Sequence, residues 1–263
     1  MSLKFKDQTI LITGASSGIG QQVAYEAAQA GANLVLCARR IDRLEQVKRS
    51  CKKLGAQHVT IFSLDIGKPE NIDELIDFLN IKNIHINVLI NNAGFGHDAP
   101  FLETNFDLVL DLFSVNVLGL MYLTQKIAVD MLDQEKGQII NVASLAGKVS
   151  TPNYAAYDAT KAAIISFSNA LRMELKPFNI QITVVNFGPV DTPFFENVGK
   201  DRKEKAAKSP FTLSMEQAGK IVAKAIGTKK REVNRPILLA LGSKIYPFTS
   251  QLVDYILVKH YNR

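Results

Sequence analysis

The stretch TILITGASSGIG, residues 9–20, decides the fold, because an apolar run of strand length leads directly into a glycine-rich turn. Gly14, Gly18 and Gly20 have the spacing GxxxGxG. Glycine permits a tight turn and a close approach of the backbone to a ligand, and the N-terminus of a following helix attracts phosphate charge. Because the turn directly follows a strand near the start of the chain, it predicts a dinucleotide pyrophosphate site. The alternative is a plain helix start.

Outward from this turn, strand-length apolar runs alternate with helical patterns. Strands are predicted at 9–13, 33–38, 58–64, 87–90, 138–143, 181–187 and 236–240. Helices are predicted near 18–30, 41–54, 70–80, 107–133, 155–176, 214–227 and 248–259. Strands that are apolar on both faces and separated by helices indicate a parallel sheet covered on both sides. The predicted fold is α/β, a doubly wound parallel sheet of about seven strands with helices on both faces, which is a Rossmann fold.

The chain length predicts one domain over residues 1–263, and a hydrophobic fraction of 47% suffices for a large core. The segment 196–210, ENVGKDRKEKAAKSP, is charged and lacks large apolar residues. It lies within 190–213, a predicted substrate-lid excursion, for which a plain exposed loop is the alternative. Residues 242–263 are predicted to form a C-terminal amphipathic helix and tail.

The composition excludes several classes of protein. Cys37 and Cys51 give no disulfide framework, and the four histidines show no metal-ligand spacing. The N-terminal MSLKFKDQ lacks the apolar segment of a signal peptide. No stretch reaches the roughly 18 apolar residues of a membrane-spanning helix. We therefore expect a cytoplasmic protein without a metal site.

The net charge of +6 is unevenly distributed. From Lys200 to the C-terminus there are 14 Lys/Arg against 5 Asp/Glu, and the remainder has 17 against 20. A solvated basic surface or an anionic partner explains this. An apolar stripe that includes Phe248, Leu252, Tyr255 and Ile256 predicts packing on the domain or on another subunit. Peripheral membrane contact through the basic C-terminal third is the alternative. A nucleic-acid partner is not expected, because no binding module is recognisable.

The end of the second strand bears on cofactor choice. Ala38 stands where NAD-binding proteins of this architecture carry an acidic residue for the ribose hydroxyls, and Arg39 and Arg40 follow. An arginine attracts a 2′-phosphate and stacks on adenine. The pattern predicts NADP(H) over NAD(H), with two exposed arginines at a helix start as the alternative.

The sequence YDATK places Tyr157 and Lys161 four residues apart on a predicted helix, so both lie on one face. An ordinary tyrosine titrates near pH 10 and is a poor base at neutral pH. A lysine ammonium and a positively charged nicotinamide are both expected to lower that pKa. Ser144, at the end of the fifth strand, is placed to donate to a substrate oxygen. Taken singly, a tyrosine on a helix is more often a packing residue.

These motifs resemble the short-chain dehydrogenase/reductase superfamily in its single-domain form. The resemblance extends over about residues 5–195 and is highly specific. Its landmarks, in the family's order, are TGASSGIG at 13–20, NNAG at 91–94, SVN ending at Asn116, Ser144, and YxxxK at 157–161.

The resemblance implies that Asn116, Ser144, Tyr157 and Lys161 are catalytic. Tyr157 would exchange a proton with the substrate oxygen, Ser144 would polarise that oxygen, and Asn116 would interrupt its helix and join a water-mediated relay to Lys161. The cofactor-binding residues that it implies, together with those predicted above, are Gly14, Ser16, Ser17, Gly18, Ile19, Gly20, Arg39, Arg40, Asp65, Asn91, Asn92, Ala93, Gly94, Tyr157, Lys161, Val190 and Thr192. For Asn91 a structural role at the end of the fourth strand is an equal alternative.

Two positions depart from the family pattern. Phe187-Gly188 stands where family members commonly have Pro-Gly. Phe187 either reshapes the turn beside the nicotinamide or only fills space in the core. Ser17 stands where NADP-preferring relatives often have Lys or Arg, so Arg39 and Arg40 must bind the 2′-phosphate largely alone.

The predicted function is NADP(H)-dependent hydride transfer between nicotinamide and a carbonyl or secondary alcohol, in the direction of reduction. Alternatives are an NAD(H)-linked alcohol dehydrogenase and a cofactor-binding regulator with incidental turnover. The substrate is expected to be small and largely apolar, because the candidate lining residues are Phe95, Leu145, Val149, Tyr154, Phe194 and Phe195. Family resemblance favours a homodimer or homotetramer.

Overall fold

The structure, a computed structural model, describes residues 5–192, 194 and 209–261. Its centre is one sheet of seven strands in the order β3-β2-β1-β4-β5-β6-β7, with every neighbouring pair parallel. The strands are β1 (Thr9–Thr13), β2 (Asn33–Ala38), β3 (Val59–Ser63), β4 (Val88–Asn91), β5 (Gly137–Ser144), β6 (Ile180–Phe187) and β7 (Glu232–Arg235). The predicted doubly wound parallel sheet is therefore confirmed.

Helices connect the strands. They are α1 (Gly18–Gln29), α2 (Ile41–Leu54), α3 (Pro69–Ile81), α4 (Phe106–Phe113), α5 (Gly119–Asp133), α6 (Ala155–Leu175), α7 (Met215–Ala223) and α8 (Ile237–Tyr261). A π-helical turn, Ser114–Leu118, joins α4 to α5. Short 3₁₀ turns occupy Phe101–Glu103, Leu145–Gly147 and Lys176–Phe178.

Alternate residues of the central strands serve two separate cores. Ile10 and Ile12 of β1 belong to a cluster that α1, α2 and α7 cover, whereas Leu11 belongs to a cluster that α3 and α5 cover. All three side chains are fully buried. Side chains of successive strand residues point to opposite faces, so an all-apolar strand indicates a sheet with helices on both sides. This is the layered arrangement that the sequence predicted.

Two element assignments were wrong. The seventh strand is Glu232–Arg235, and the apolar run 236–240 that was expected to form it begins α8 instead. β7 has a strand neighbour on one side only, and this explains why an edge strand of sequence EVNR can be polar. The last helix therefore begins at Ile237, and not near residue 248 or 242. Of the predicted lid at 190–213, residues 193 and 195–208 lie outside the described part of the chain.

One helical stretch, Phe106–Asp133, is long and apolar enough to cross a membrane by length and composition alone, contrary to the expectation from sequence. A core helix of a globular domain passes the same test. Leu123, Ile127 and Met131 of this stretch are buried in the core beneath the sheet. We therefore interpret it as a core helix.

Candidate functional site

A cleft of about 1060 Å³ runs along the carboxyl edge of the sheet. Residues that follow β1, β2, β3 and β4 and residues at the ends of β5 and β6 all line it. The strand order reverses between β1 and β4, and in open α/β sheets ligands bind outside the carboxyl ends of the strands at such a switch point. The cleft is therefore the candidate functional site.

The glycines of the turn after β1 are required by two different constraints. Gly14 has φ +66°, and a Cβ there would lie 2.9 Å from the Asn92 side-chain nitrogen. A Cβ on Gly20 would lie 2.5 Å from that nitrogen and 2.5 Å from the Gly14 carbonyl oxygen. Asn92 Nδ2 in turn donates to the Thr13 carbonyl oxygen at 3.0 Å. Gly14 and Gly18 line the cleft, whereas packing against Asn92 accounts for Gly20.

The N-terminus of α1 suits an anionic group. No acidic residue lies in the first turn of α1, and the Ser17 side chain makes no capping hydrogen bond to it. The positive end of the helix dipole is therefore not offset by local negative charge. Ser16, Ser17, Gly18 and Ile19 all line the cleft. Thr192 packs close by, since a Cβ on Gly18 would lie 3.7 Å from the Thr192 Cβ.

Arg39 and Arg40 follow β2 and both line the cleft. Arg40 Nη2 donates to Ser16 Oγ at 3.1 Å and to Ser17 Oγ at 2.9 Å. The sequence placed both arginines near the cofactor but did not show that Arg40 reaches the turn after β1. The result is a cationic group beside the phosphate-type turn, with no described carboxylate paired to either arginine.

The residues after β3 and β4 divide into two groups. Asp65, Asn92, Ala93 and Gly94 line the cleft. Asn91 is 1% exposed, and its side-chain amide donates to Thr124 Oγ1 and to Asn141 Oδ1, each at 2.9 Å. Among the described residues that line the cleft, Asn91 does not occur. This geometry favours the structural alternative for Asn91.

Ser144 ends β5 as expected, and its hydroxyl lies at the cleft wall. Ser144 Oγ donates to the Phe187 carbonyl oxygen at 3.1 Å and accepts from the Ala146 backbone N–H at 3.1 Å. The Tyr157 hydroxyl lies on the same cleft wall, close enough for Ser144 to influence its pKa. Phe187 is buried in the core and also contributes to the cleft wall, so its replacement of proline serves packing. β5, β6 and α6 thus bring one serine and one tyrosine hydroxyl together.

Lys161 lies one helical turn after Tyr157 and is 6% exposed. Its Nζ is 5.6 Å from the centroid of the Tyr157 ring. A Cβ on Gly94 would lie 2.9 Å from Asn116 Oδ1 and 3.7 Å from Lys161 Nζ, so only a residue without a side chain fits between them. Tyr157, Lys161 and Gly94 line the cleft, and Asn116 lies behind them.

Asn116 occupies the π-helical turn between α4 and α5, where the regular helix is interrupted. It is fully buried, and its amide donates to the Phe95 carbonyl oxygen at 2.9 Å and to Thr160 Oγ1 at 3.2 Å. Asn116 Oδ1 accepts from the Phe95 backbone N–H at 3.0 Å. These bonds fix the segment after β4 against α6.

Burial dominates the titration of both cleft groups on α6. Burial raises the pKa of the Tyr157 phenol above its usual range, and the nearby Ser144 hydroxyl offsets only part of this. Burial lowers the pKa of Lys161 to about 8. The lowered tyrosine pKa that the sequence suggested is therefore not found in the protein by itself. Tyr157 is protonated throughout the physiological pH range.

A third buried group on α6, Asp158, was not singled out from the sequence. It is 3% exposed, and its Oδ2 accepts from the Thr151 backbone N–H at 2.8 Å. Its Oδ1 is buried without a hydrogen-bond partner among the described residues. Burial raises the pKa of Asp158 to about 7, which the Thr151 hydrogen bond only partly offsets. Asp158 therefore holds the loop that leads into α6, and Thr151 of that loop lines the cleft.

The remaining cleft wall is mostly apolar. The Phe194 ring packs edge-on against Tyr157 at 5.7 Å between centroids, and a Cβ on Gly96 would collide with the Phe194 ring. Of the expected lining residues, Phe195 lies outside the described part of the chain, and the others line the cleft. The sequence missed the contribution of α8, whose lining residues are Leu238, Leu239, Gly242, Ser243, Tyr246 and Val253. The helical spacing of the apolar residues after Pro236 was the signal that could have found it.

Comparisons with known proteins agree with this geometry. Residues 8–203 match the family model described as short chain dehydrogenase. An uncharacterised oxidoreductase of Staphylococcus saprophyticus is 38% identical over 203 residues, which cover 76% of this chain and 81% of the relative. An NADP-dependent 3-hydroxy acid dehydrogenase of Schizosaccharomyces pombe is 33% identical over 232 residues, covering 86% and 89%.

A solved structure extends the similarity to three dimensions. The L-sorbose reductase of Gluconobacter frateurii, complexed with NADPH and L-sorbose, superimposes with a TM-score of 0.79 at 25% identity. The match covers 89% of this chain and 97% of that one. The seven-stranded parallel sheet, the cleft at its carboxyl edge and the family match lead to one conclusion. The chain belongs to the short-chain dehydrogenase/reductase family, a family of NAD(P)-binding oxidoreductases.

Proposed function

We propose that this protein is an NADP(H)-dependent carbonyl reductase, in which Tyr157 is the acid that protonates the substrate oxygen. The single observation that carries the proposal is the arrangement of one cleft. Ser144, Tyr157 and Lys161 lie on one wall, and Arg39 and Arg40 lie beside the turn after β1. A dinucleotide that spans this cleft would bring its nicotinamide to the hydroxyl pair and its adenosine to the arginines.

The residues present fit such a cofactor. Gly14 and Gly18 bring the backbone close to the ligand, and the α1 N-terminus offers N–H groups for the pyrophosphate. Asp65, Asn92, Ala93 and Gly94 would line the adenosine and the adjoining ribose, while Val190 and Thr192 would hold the carboxamide. When bound, the nicotinamide supplies or accepts the hydride.

Reduction requires a proton donor at the carbonyl oxygen. The raised pKa of Tyr157 keeps its phenol protonated, which is the form that donates. The Ser144 hydroxyl, which donates to the Phe187 carbonyl in this structure, would turn its proton to the substrate oxygen as negative charge develops there. In our proposal the Lys161 ammonium stabilises the phenolate left after transfer, and Asn116 positions the segment that packs against Lys161.

The preference for the phosphorylated cofactor rests on charge. Ala38 replaces the carboxylate that would repel a 2′-phosphate, and Arg40 is already anchored on Ser16 and Ser17. A guanidinium donates two parallel hydrogen bonds to a phosphate. Arg39 would therefore bind the 2′-phosphate and stack on adenine, and Arg40 would contribute from the turn side. An NADP-dependent relative and an NADPH-bound structural neighbour support this preference.

The test is to measure dissociation constants of NADPH and NADH for the wild type, Arg39→Ala and Arg40→Ala. Loss of a charge-assisted phosphate contact removes about 1.5–3 kcal/mol, so we expect NADPH to bind roughly 10- to 100-fold more weakly to each variant. NADH binding should change little. Arg43→Ala, a change outside the described cleft lining, is the matched control. Equal NADPH and NADH binding that none of the variants alters would refute the preference.

Turnover is tested separately with wild-type protein and NADPH on a panel of apolar ketones and aldehydes. The described substrate side of the cleft is lined mainly by aromatic and aliphatic side chains, so we expect apolar carbonyls to be reduced faster than small sugars. Absence of NADPH oxidation with every carbonyl, together with tight NADPH binding, would favour a cofactor-binding regulator. NADH-linked oxidation of alcohols alone would favour the dehydrogenase alternative. The homodimer or homotetramer and the cytoplasmic location stay predictions.

A further inference from the structure

The outer face of α8 is an exposed apolar surface. α8 has a kink at Thr249, where the backbone angles are not helical. The exposed apolar residues before the kink are Ile237, Leu238, Leu241, Ile245 and Phe248, and those after it are Leu252, Tyr255 and Ile256. Each is more than half exposed, and Phe248 reaches 89%. A monomeric soluble domain rarely exposes a contiguous apolar patch of this kind unless another surface covers it. We name these eight residues the α8 outer face.

The opposite side of the same helix lines the cleft. Leu241, Ile245, Phe248 and, after the kink, Leu252 and Ile256 are separated by three or four residues, so each group shares one side of its helical segment. Leu239, Tyr246 and Val253 instead line the cleft, and Leu238 both lines it and is exposed. α8 is therefore a wall between the cleft and the outside, and its apolar surface continues from one side to the other.

The charges near the α8 outer face indicate what kind of surface covers it. Lys244 and Lys259 of α8 are exposed, and Lys259 Nζ lies 5.9 Å from the centroid of the Tyr255 ring. Asp254 is the one acidic residue of α8, and it accepts a hydrogen bond from the Tyr246 hydroxyl at 2.8 Å.

This combination matches an anionic lipid surface better than a second copy of the chain. An isologous dimer places the same patch of each subunit against the other. Lys244 and Lys259 of both subunits would then be brought together, and within α8 only Asp254 of each subunit would offset them. At a bilayer, apolar side chains enter the acyl boundary, while lysine ammonium groups are attracted to anionic headgroups.

We propose that α8 docks this protein, by its outer face, on membranes that contain anionic lipids. Docking brings the α8 side of the cleft to the lipid, with Leu238 at the junction of the two surfaces. An apolar carbonyl compound dissolved in the bilayer then reaches the cleft without crossing water. The docking stands without the proposed reaction, and only this route of substrate entry rests on the proposed function.

The experiment is vesicle flotation of the full chain. Vesicles of phosphatidylcholine alone are compared with vesicles of phosphatidylcholine and phosphatidylserine. We expect the protein to float with the second kind and to float weakly with the first. Phe248→Asp and Leu252→Asp should each weaken partitioning by at least about tenfold, because an apolar side chain is replaced by a charge that must stay in water. Ile81→Asp is the matched control, since Ile81 is also exposed, at 81%, but lies on α3.

Charge is tested with Lys244→Glu and Lys259→Glu, which should abolish the preference for phosphatidylserine. Thermal unfolding of every variant should match the wild type, because the substituted side chains are exposed. A wild type that floats with neither vesicle, or Asp variants that float as well as the wild type, would overturn the proposal. Dimers that Phe248→Asp dissociates, in the absence of vesicle binding, would assign the α8 outer face to an interface between copies and overturn it as well.

A kinetic measurement tests substrate entry. With NADPH, anionic vesicles should lower the KM for a long-chain ketone and leave that for a small water-soluble ketone unchanged. Phe248→Asp should lose this effect while its kcat for the small ketone is kept. Flotation without any turnover would contradict the proposed function and leave docking intact. Turnover without a vesicle effect on KM would contradict only the entry of substrate from the lipid, and would leave docking and the proposed function intact.

Discussion

Two helices border the cleft from different sides, and each reverses the usual distribution of polar and apolar residues. α6 buries Asp158, Thr160 and Lys161, whereas α8 exposes Phe248 and Leu252. Burying a charged group costs free energy unless a partner compensates it, and exposing a large apolar group forgoes the gain from burial. We propose that the cost on α6 serves chemistry in the cleft, and that the cost on α8 serves the docking of its outer face on a lipid surface.

The largest expected effect concerns the hydroxyl of Tyr157. Tyr157→Phe removes the proposed proton donor but keeps the ring that packs on Phe194 and Tyr154. We expect kcat/KM to fall by about 10²- to 10⁴-fold, the usual contribution of a general acid, with NADPH affinity kept. Tyr154→Phe is the matched control, because it removes a second hydroxyl from the same cleft wall and should have a much smaller effect. Equal losses for both variants would contradict the assignment.

The second effect tests whether the burial of Lys161 on α6 lowers the free energy of unfolding. Burial lowers the pKa of Lys161 to about 8 from an ordinary value of 10.5, so the folded protein binds fewer protons than the unfolded chain between these values. Stability linked to Lys161 is therefore present above pH 10.5 and is lost as pH falls through 8. We expect Lys161→Met to raise the free energy of unfolding by roughly 3 kcal/mol at pH 7 and by much less near pH 10.

Urea denaturation of Lys161→Met and the wild type at the two pH values checks this. Lys176→Met, an exposed residue at the end of the same helix, should change stability by less than about 0.5 kcal/mol. An equal gain at both pH values would show that packing, rather than desolvation of the ammonium, accounts for the change. Activity should be lost even though the variant is more stable.

The third effect concerns Asp158 and has the opposite dependence on pH. Its pKa is raised to about 7 from 3.8, so the folded protein binds more protons between these values, and stability is lost as pH rises toward and through 7. Asp158→Asn copies the shape of the protonated carboxyl. We expect it to increase the free energy of unfolding by on the order of 2 kcal/mol at pH 8 and to change it little at pH 4.

Denaturation curves of Asp158→Asn across this pH range provide the measurement, with Asp107→Asn on the exposed start of α4 as the control. A stability difference that does not vary with pH would mean that the carboxyl stays ionised in the fold.

The smallest expected effect completes the comparison of the two helices. Phe248→Ala on α8 should change the free energy of unfolding by less than about 0.5 kcal/mol, because the ring is exposed. Ile164→Ala on α6, where the side chain is 1% exposed, should cost about 2–5 kcal/mol. Both are measured by urea denaturation without vesicles. A large loss for Phe248→Ala would mean that α8 contributes its outer face to the fold itself.

Much of the site could be predicted because its residues follow strands whose pattern is unambiguous. Ser144 was expected at the end of β5, and parallel strands necessarily bring their carboxyl ends to one edge. The apolar runs of β1, β2, β4, β5 and β6 could be located because both faces of those strands are buried, and β3, although at an edge, keeps the apolar run VTIF. β7 could not, because a polar edge strand shows no such run, and the apolar run after it belongs to a helix.

Asn91 shows the limit of a motif. Its place in NNAG was equally consistent with cofactor binding and with structure, and only the hydrogen bonds to Thr124 and Asn141 favour the second. Arg40 is a second example, because only the structure shows its hydrogen bonds to Ser16 and Ser17, which precede it by 24 and 23 residues. Sequence spacing carries no information about such distances.

By itself, the sequence determined the fold class, the position of the glycine-rich turn and the residue types of the proposed catalytic group. These depend on local backbone requirements and on hydrophobic periodicity, both of which are set by residues close together in the sequence. The tertiary structure decided which groups are desolvated, which arginine reaches the turn, and that α8 separates the cleft from an exposed apolar face. Those properties arise from contacts between distant segments, because burial and electric field at a side chain are set by whatever the fold packs around it.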